Sequence, residues 1–231
     1  MSVADLVPVL RSLADDLGPT ADLAVLGSLA GRLPASHREL LQQLNGMTVF
    51  HGAFRLFGVR AEPWLDLTQW NALETWQFAW DERVEPFVVF AETAWGDQYA
   101  YRWSESGDGL EPEVYFLEGT LLRPRAFAAS FDEFLADEFI RNARSPYDEM
   151  VTQVVARRGP IPADQHWVYV PSVALGGPEL IDNVMELPAV TAMTYAGDLA
   201  TALLVRPGVH PTAVEPWTDG RGRSRLRVSF A

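Results

Sequence analysis

The sequence predicts an α+β fold in which helices come first, a central antiparallel sheet follows and a small strand-containing lobe closes the chain. Three observations carry this. Apolar residues recur every three or four positions up to Gly46, as on one face of a helix, and from there the period falls to two, as on one face of a strand. Gly159-Pro160-Ile161-Pro162 then gives the strongest breaker signal in the chain. With 48% hydrophobic and only 21% charged residues, the 231-residue chain can bury a sizeable core, which excludes disorder as a description of the whole.

Val3 to Leu17 places Leu6, Val9 or Leu10, Leu13 and Leu17 at helical spacing, ended by Gly18-Pro19. A second helix is expected from Thr20, whose hydroxyl can cap it, through Leu23, Leu26 and Leu29 to Arg32. Ser36 and Glu39 stand at capping-box spacing for a third, which carries Leu40, Leu41 and Leu44 and stops at Asn45-Gly46. Strands are expected at Met47–Phe50, Phe54–Val59, Phe87–Ala91, Asp97–Trp103 and Glu113–Leu117, with Tyr99, Tyr101 and Trp103 on one face. Trp70, Leu73, Trp76 and Trp80 recur at helical intervals and predict a short helix across the sheet. Ser130 caps a helix from Phe131 to Arg144, and another runs from Ser145-Pro146 to Arg158. Beyond the break, Trp167–Pro171 is β-leaning, and Leu226, Val228 and Phe230 belong to a hairpin that turns near Gly220-Arg221-Gly222. The expected core includes Leu41, Phe57, Phe90, Tyr101, Tyr115 and Phe134. Two parts are expected, residues 1–158 and residues 159–231, the second packed on the first.

The formal charge is −13, and all 18 basic residues are Arg. Nucleic acid and anionic membrane surfaces are disfavoured as partners, because binding them needs a basic stripe; partners of positive charge are favoured. The absence of Cys excludes disulfides, thiolate nucleophiles and Cys-ligated zinc, and fits a reducing cytoplasm. The N-terminus shows no basic region followed by an apolar run, and no stretch of 18 apolar residues occurs, so a cytoplasmic protein is expected.

Several segments stand in a telling order. Leu33-Pro34, Leu40-Leu41 and Asn45-Gly46 form an "LP…LL…NG" helix, and Phe54-Arg55-Leu56-Phe57-Gly58 an "lfG" strand. Phe90-Ala91 with Gly96-Asp97 form an "fa…GD" hairpin, and Val114-Tyr115 and Ser130 to Leu135 close the series. Together they resemble the SUKH superfamily, the Smi/Knr-like domain found in many bacterial immunity proteins. Val170 to Gly177 further resembles the "VPALALGG" segment of Tdi-type immunity proteins, which are linked with type VI secretion effectors. The first 30 residues lie outside the resemblance, and beyond Asp198 the strand-rich tail from Pro207 departs from it. The resemblance implies that residues 1–158 hold a SUKH-like domain with an N-terminal helical extension. It also implies one highly bent sheet with helices on one side, no chemistry of its own, and a role in binding a partner.

No G-x-S-x-G, H-E-x-x-H, P-loop or dinucleotide fingerprint occurs, and the four His, at 37, 51, 166 and 210, lack metal-binding spacing. No metal or cofactor is expected. Asp132, Glu133, Asp137 and Glu138 fall opposite the apolar stripe of their helix, as a solvated face requires. Gly96-Asp97 suits a local turn in which Gly supplies a positive φ and Asp bonds nearby amides. Charge distribution is more informative: Glu62 to Glu118 carries 13 acids and two Arg, whereas the tail from Arg206 carries five Arg and two acids. Such a layout can steer a basic partner onto the central region, with tryptophans as anchors. The expected partner-binding residues are Trp70, Trp76, Trp80, Asp81, Glu82, Glu85, Glu92, Trp95 and Asp108. The competing explanation is that these acids serve solubility and the tryptophans fill the core. The leading reading is a non-catalytic immunity protein that occludes a basic toxin. A regulatory scaffold, and a glycan hydrolase using carboxylates such as Glu85 and Glu92, stand as alternatives, and the oligomeric state is left open.

Overall fold

The computed structural model describes residues 2–20, 22–59 and 66–231, and the side chain of Asp81 lies outside the described residues. Helix α1, Val3–Leu13, begins at a reciprocal capping box between Ser2 and Asp5 and buries Val3, Leu6, Val7 and Leu10. It stops short of the predicted Leu17, because Ala14–Leu17 is instead an edge strand, β1, whose Leu17 pairs with Met47. The expected second helix shrinks to a 3₁₀ segment, Leu23–Leu29. Asp22 rather than Thr20 caps it, and Gly27 at φ 54° breaks its helical path. Helix α2, Ala35–Gln43, starts directly after Pro34, so Ser36 does not cap it.

Seven strands follow one another in space as they do in sequence, every pair antiparallel: β1, then β2 (Met47–Val49), β3 (Phe54–Leu56), β4 (Phe87–Thr93), β5 (Gln98–Trp103), β6 (Leu110–Leu117) and β7 (Pro124–Ala128). Asn45-Gly46 ties the start of this meander together. The Asn45 side chain donates to the carbonyls of Pro19 (2.6 Å) and Val59 (2.7 Å) and accepts from the Val59 amide (2.6 Å). Gly46, at φ 76°, leaves room where a Cβ would stand 2.7 Å from the Gly58 nitrogen.

Between β3 and β4 the tryptophans do not share one helix. Trp70 ends α3, Leu67–Trp70, whereas Trp76 and Trp80 flank 3₁₀ turns at Gln77–Ala79 and Asp81–Arg83, and the Trp70 and Trp80 indoles reach separate buried acceptors. Ser130 caps the predicted helix, which runs as α4 (Phe131–Glu133), a π-helical stretch (Phe134–Phe139) and α5 (Ile140–Arg144). Helix α6, Glu149–Arg158, begins at Asp148, three residues past the predicted Ser145. The C-terminal segment holds a hairpin of β8 (Gln165–Tyr169) and β9 (Val184–Pro188), helix α7 (Ala189–Val205), and a second hairpin of β10 (Ala213–Thr218) and β11 (Ser224–Ser229).

The N-terminal helices lie on one side of the sheet. There Phe90 packs against His37, Tyr101, Phe131 and Phe134, with ring centroids 4.4 to 5.6 Å apart. The other side is covered by the turns of residues 67–83 and by α7, so all seven residues of β4 are buried. Of the predicted core only Tyr115 is half exposed; Leu41, Phe57, Phe90, Tyr101 and Phe134 are all fully buried.

Candidate functional site

The side of the sheet facing the C-terminal segment carries a buried polar row. Arg55 on β3 pairs in register with Glu92 on β4, and Glu92 with Gln98 on β5, so the three side chains stand side by side. Arg55 Nη1 donates to Glu92 Oε1 at 2.9 Å, and Gln98 Nε2 donates to Glu92 Oε2 at 3.0 Å. His166 of β8 closes the row, its Nε2 lying 3.1 Å from Glu92 Oε2. Arg55 also donates to the carbonyls of Gly52, Pro162 and Gln165, at 3.1, 3.2 and 2.5 Å. Burial pulls the Glu92 carboxyl upward, but His166, Arg55 and Gln98 together hold it below the usual carboxylate range. The row therefore fastens the C-terminal segment to the sheet, through the Arg55 bonds to the Pro162 and Gln165 carbonyls and the His166–Glu92 contact, and it is fully enclosed.

Four of the nine predicted partner-binding residues are thus interior. Glu92 is spent inside this row. Trp70 donates to Gln98 Oε1 at 2.8 Å and packs on Phe57 and Trp76, while Trp80 donates to the Met193 carbonyl at 2.8 Å. Trp70, Trp76 and Trp80 are at most 1% exposed, so no partner touches them without opening the core. The pairing invoked for a glycan hydrolase also fails in space. Glu85 precedes β4 and Glu92 lies near its far end, and seven strand residues span roughly 20 Å, whereas glycosidase carboxylates stand roughly 5 to 9.5 Å apart.

The remaining candidates fall at two ends of the sheet. Glu82, Glu85 and Asp108 are exposed at the end where β4 begins. The Trp103 amide donates to the Pro86 carbonyl there at 2.8 Å, which brings the β5–β6 turn carrying Asp108 beside the Glu85 segment. Arg83 and Arg102 stand among these acids. Trp95 lies at the opposite end, in the β4–β5 turn, half exposed, with its ring stacked on Tyr169 of β8 at 4.9 Å and 10°. Carboxylates surround this stack. Burial, with Glu179 and Asp148 adding to it, pushes the Tyr169 hydroxyl up to about 12. Burial likewise raises the Asp97 carboxyl, opposed by the Gly119 amide and Thr93 and assisted by Glu118 and Asp148. Asp97 accepts from that amide at 2.9 Å and from the Thr93 hydroxyl at 3.0 Å, and Gly96 takes φ 85°, as expected of a local turn.

A model of the SMI1/KNR4 family (SUKH-1) matches residues 22–137, from the 3₁₀ segment through the sheet and into the π-helical stretch. This chain belongs to the SUKH-1 family. The SUKH-1 region supplies Arg55, Glu92 and Gln98, whereas His166 and Tyr169 come from the segment beyond it. The whole chain is also similar to the crystal structure of Atu4351 from Agrobacterium tumefaciens, with a TM-score of 0.55, 12% identity and 95% of each chain covered, a likeness of fold alone. No curated protein matches the chain.

Arg55, Gln98 and His166 are the residues of the interior row that sequence reasoning missed. A signal existed for one of them: an Arg between Phe54 and Leu56, in a strand apolar on both sides, needs a buried counter-charge.

Proposed function

We propose that the chain is a non-catalytic binding protein of the immunity type, which neutralises a cognate basic toxin in the cytoplasm by covering the toxin's active surface. SUKH-1 membership over residues 22–137 is the observation that carries this reading. The charge pattern supports it: the exposed Glu82, Glu85 and Asp108 form an acidic rim suited to steering a basic partner, and the half-exposed Trp95 on Tyr169 supplies an aromatic anchor at the other end of the sheet. Asp81 remains a rim candidate by sequence alone.

The test asks first whether the product of the adjacent reading frame stops growth when expressed alone, and then co-expresses it with this chain. Growth restored by this chain, together with a stable complex of the two purified proteins, supports neutralisation by occlusion. Restored growth without a complex removes occlusion, and failure to restore growth removes the immunity reading.

A further inference from the structure

A cleft of about 580 Å³ opens on the side of the sheet that α7 covers, beside the last turns of that helix. Its volume lies within the roughly 300 to 1,000 Å³ of small-molecule sites. Phe87 and Tyr115, edge to face with centroids 5.6 Å apart, form one wall, and Leu122 and Leu204 line the cavity elsewhere. Three of the lining residues are Arg83, Arg102 and Arg123, and none of the described lining residues is acidic, although acids outnumber arginines 31 to 18 in the chain. The three cations come from separate segments: the turn before β4, β5, and the β6–β7 connection.

Their settings differ in a useful way. Arg83 is held in place, donating to the Trp80 carbonyl at 3.0 Å and to the Thr201 hydroxyl, with its guanidinium over the Trp80 ring. Arg102 and Arg123 are exposed, and neither enters an ion pair among the described residues. The wall is also shaped at a conformational cost: Leu122 is 1% exposed yet adopts φ 47°, the left-handed region that disfavours a branched side chain. Strain of this kind persists where surrounding packing enforces it, and it clusters at binding sites.

We propose that this cleft binds a small amphipathic anion, a carboxylate, sulfonate or phosphate group carried on a flat aromatic body. The aromatic part lies against Phe87 and Tyr115, and the acidic group meets Arg102 and Arg123, where guanidinium forks fit two acceptor oxygens. This site adjoins the acidic rim, since Arg83 and Arg102 stand among the rim acids, but the proposal does not depend on toxin binding.

The test uses 8-anilinonaphthalene-1-sulfonate as the probe, titrated by fluorescence against the full chain. One saturable site per chain is expected. Arg123→Gln and Arg102→Gln should each weaken it about tenfold, the scale of one charge-assisted contact. Leu204→Glu, at an exposed position on α7, should abolish it, while Arg144→Gln on the distant α5 leaves it unchanged. Circular dichroism establishes that each variant is folded. Non-saturating binding, equal affinity in the cleft variants, or an equal loss in Arg144→Gln would overturn the proposal.

Discussion

Glu92 and the exposed Glu82, Glu85 and Asp108 come from the same acidic stretch of sequence, yet the fold sends them to opposite environments. Glu92 is enclosed between Arg55, Gln98 and His166, where its charge is fully paired and removal of any partner strands the others away from water. The rim acids stand in solvent, where a charge contributes little to stability and acts at a distance on whatever approaches. An acid beside aromatics in sequence therefore has two meanings. The pairing register decides between them here, because β4 turns Glu92 toward Arg55 on one side and Gln98 on the other.

The largest effect should come from the interior. Glu92→Ala leaves Arg55 buried without its carboxylate and is expected to cost about 3 to 5 kcal/mol, read as a lowered urea midpoint. It should also speed proteolysis after Gly159, since the row fastens that segment down. A loss under about 1 kcal/mol would erase the contrast with the rim. Replacing both charges, as Arg55→Met with Glu92→Leu, should cost less than the two single changes summed, with a coupling of about 1 to 3 kcal/mol.

A pH-dependent effect, smaller over the window from pH 6.5 to 5, belongs to His37 on the opposite side of the sheet. Its Nδ1 lies 3.1 Å from the Tyr101 hydroxyl, its ring stacks on Phe131 at 4.3 Å, and burial pushes its pKa down to about 3. The unfolded chain takes up this proton near pH 6.5 and the folded chain does not. Stability should therefore be unaffected by His37 above pH 6.5 and fall by up to about 1.4 kcal/mol per pH unit as the pH drops from there toward 3. His37→Gln should flatten that slope between pH 6.5 and 5, and an unchanged slope would show that His37 is not the group responsible. The smallest stability effect is expected at the rim, where reversing Glu82, Glu85 and Asp108 to Arg should cost below about 0.5 kcal/mol each in thermal unfolding.

Much of the sheet was legible because β5 alternates Tyr99, Tyr101 and Trp103 with other residues, Asn45-Gly46 marks the end of α2 before β2, and Gly96-Asp97 marks the β4–β5 turn. Helix α7 was not legible. Its Ala, Thr, Val and Leu residues give no polar face, since it packs against Trp80 on one flank and β11 on another, and a helix apolar all round lacks the stripe that periodicity detects. Strands β1 and β7 were hidden for a different reason: both are short edge strands with charged or Pro-containing sequences, formed by pairing rather than by local preference. The tryptophan spacing misled because separate turns and one helix can both place indoles four to six residues apart. Burial of Trp70, Trp76 and Trp80 follows from acceptors and ring partners far away in sequence, which no local pattern contains.

The most direct test of the toxin-binding account is the association rate of the purified chain with the cognate toxin identified by co-expression, measured by surface plasmon resonance at about 50 and 200 mM salt, between which screening shortens markedly. The account predicts an on-rate that falls steeply with salt. Reversal of Glu82, Glu85 and Asp108 to Arg should lower the on-rate about tenfold and remove its salt dependence, with the off-rate little changed. An on-rate indifferent to salt, or one unchanged in the triple reversal, would contradict it and leave those acids as solubilising charge.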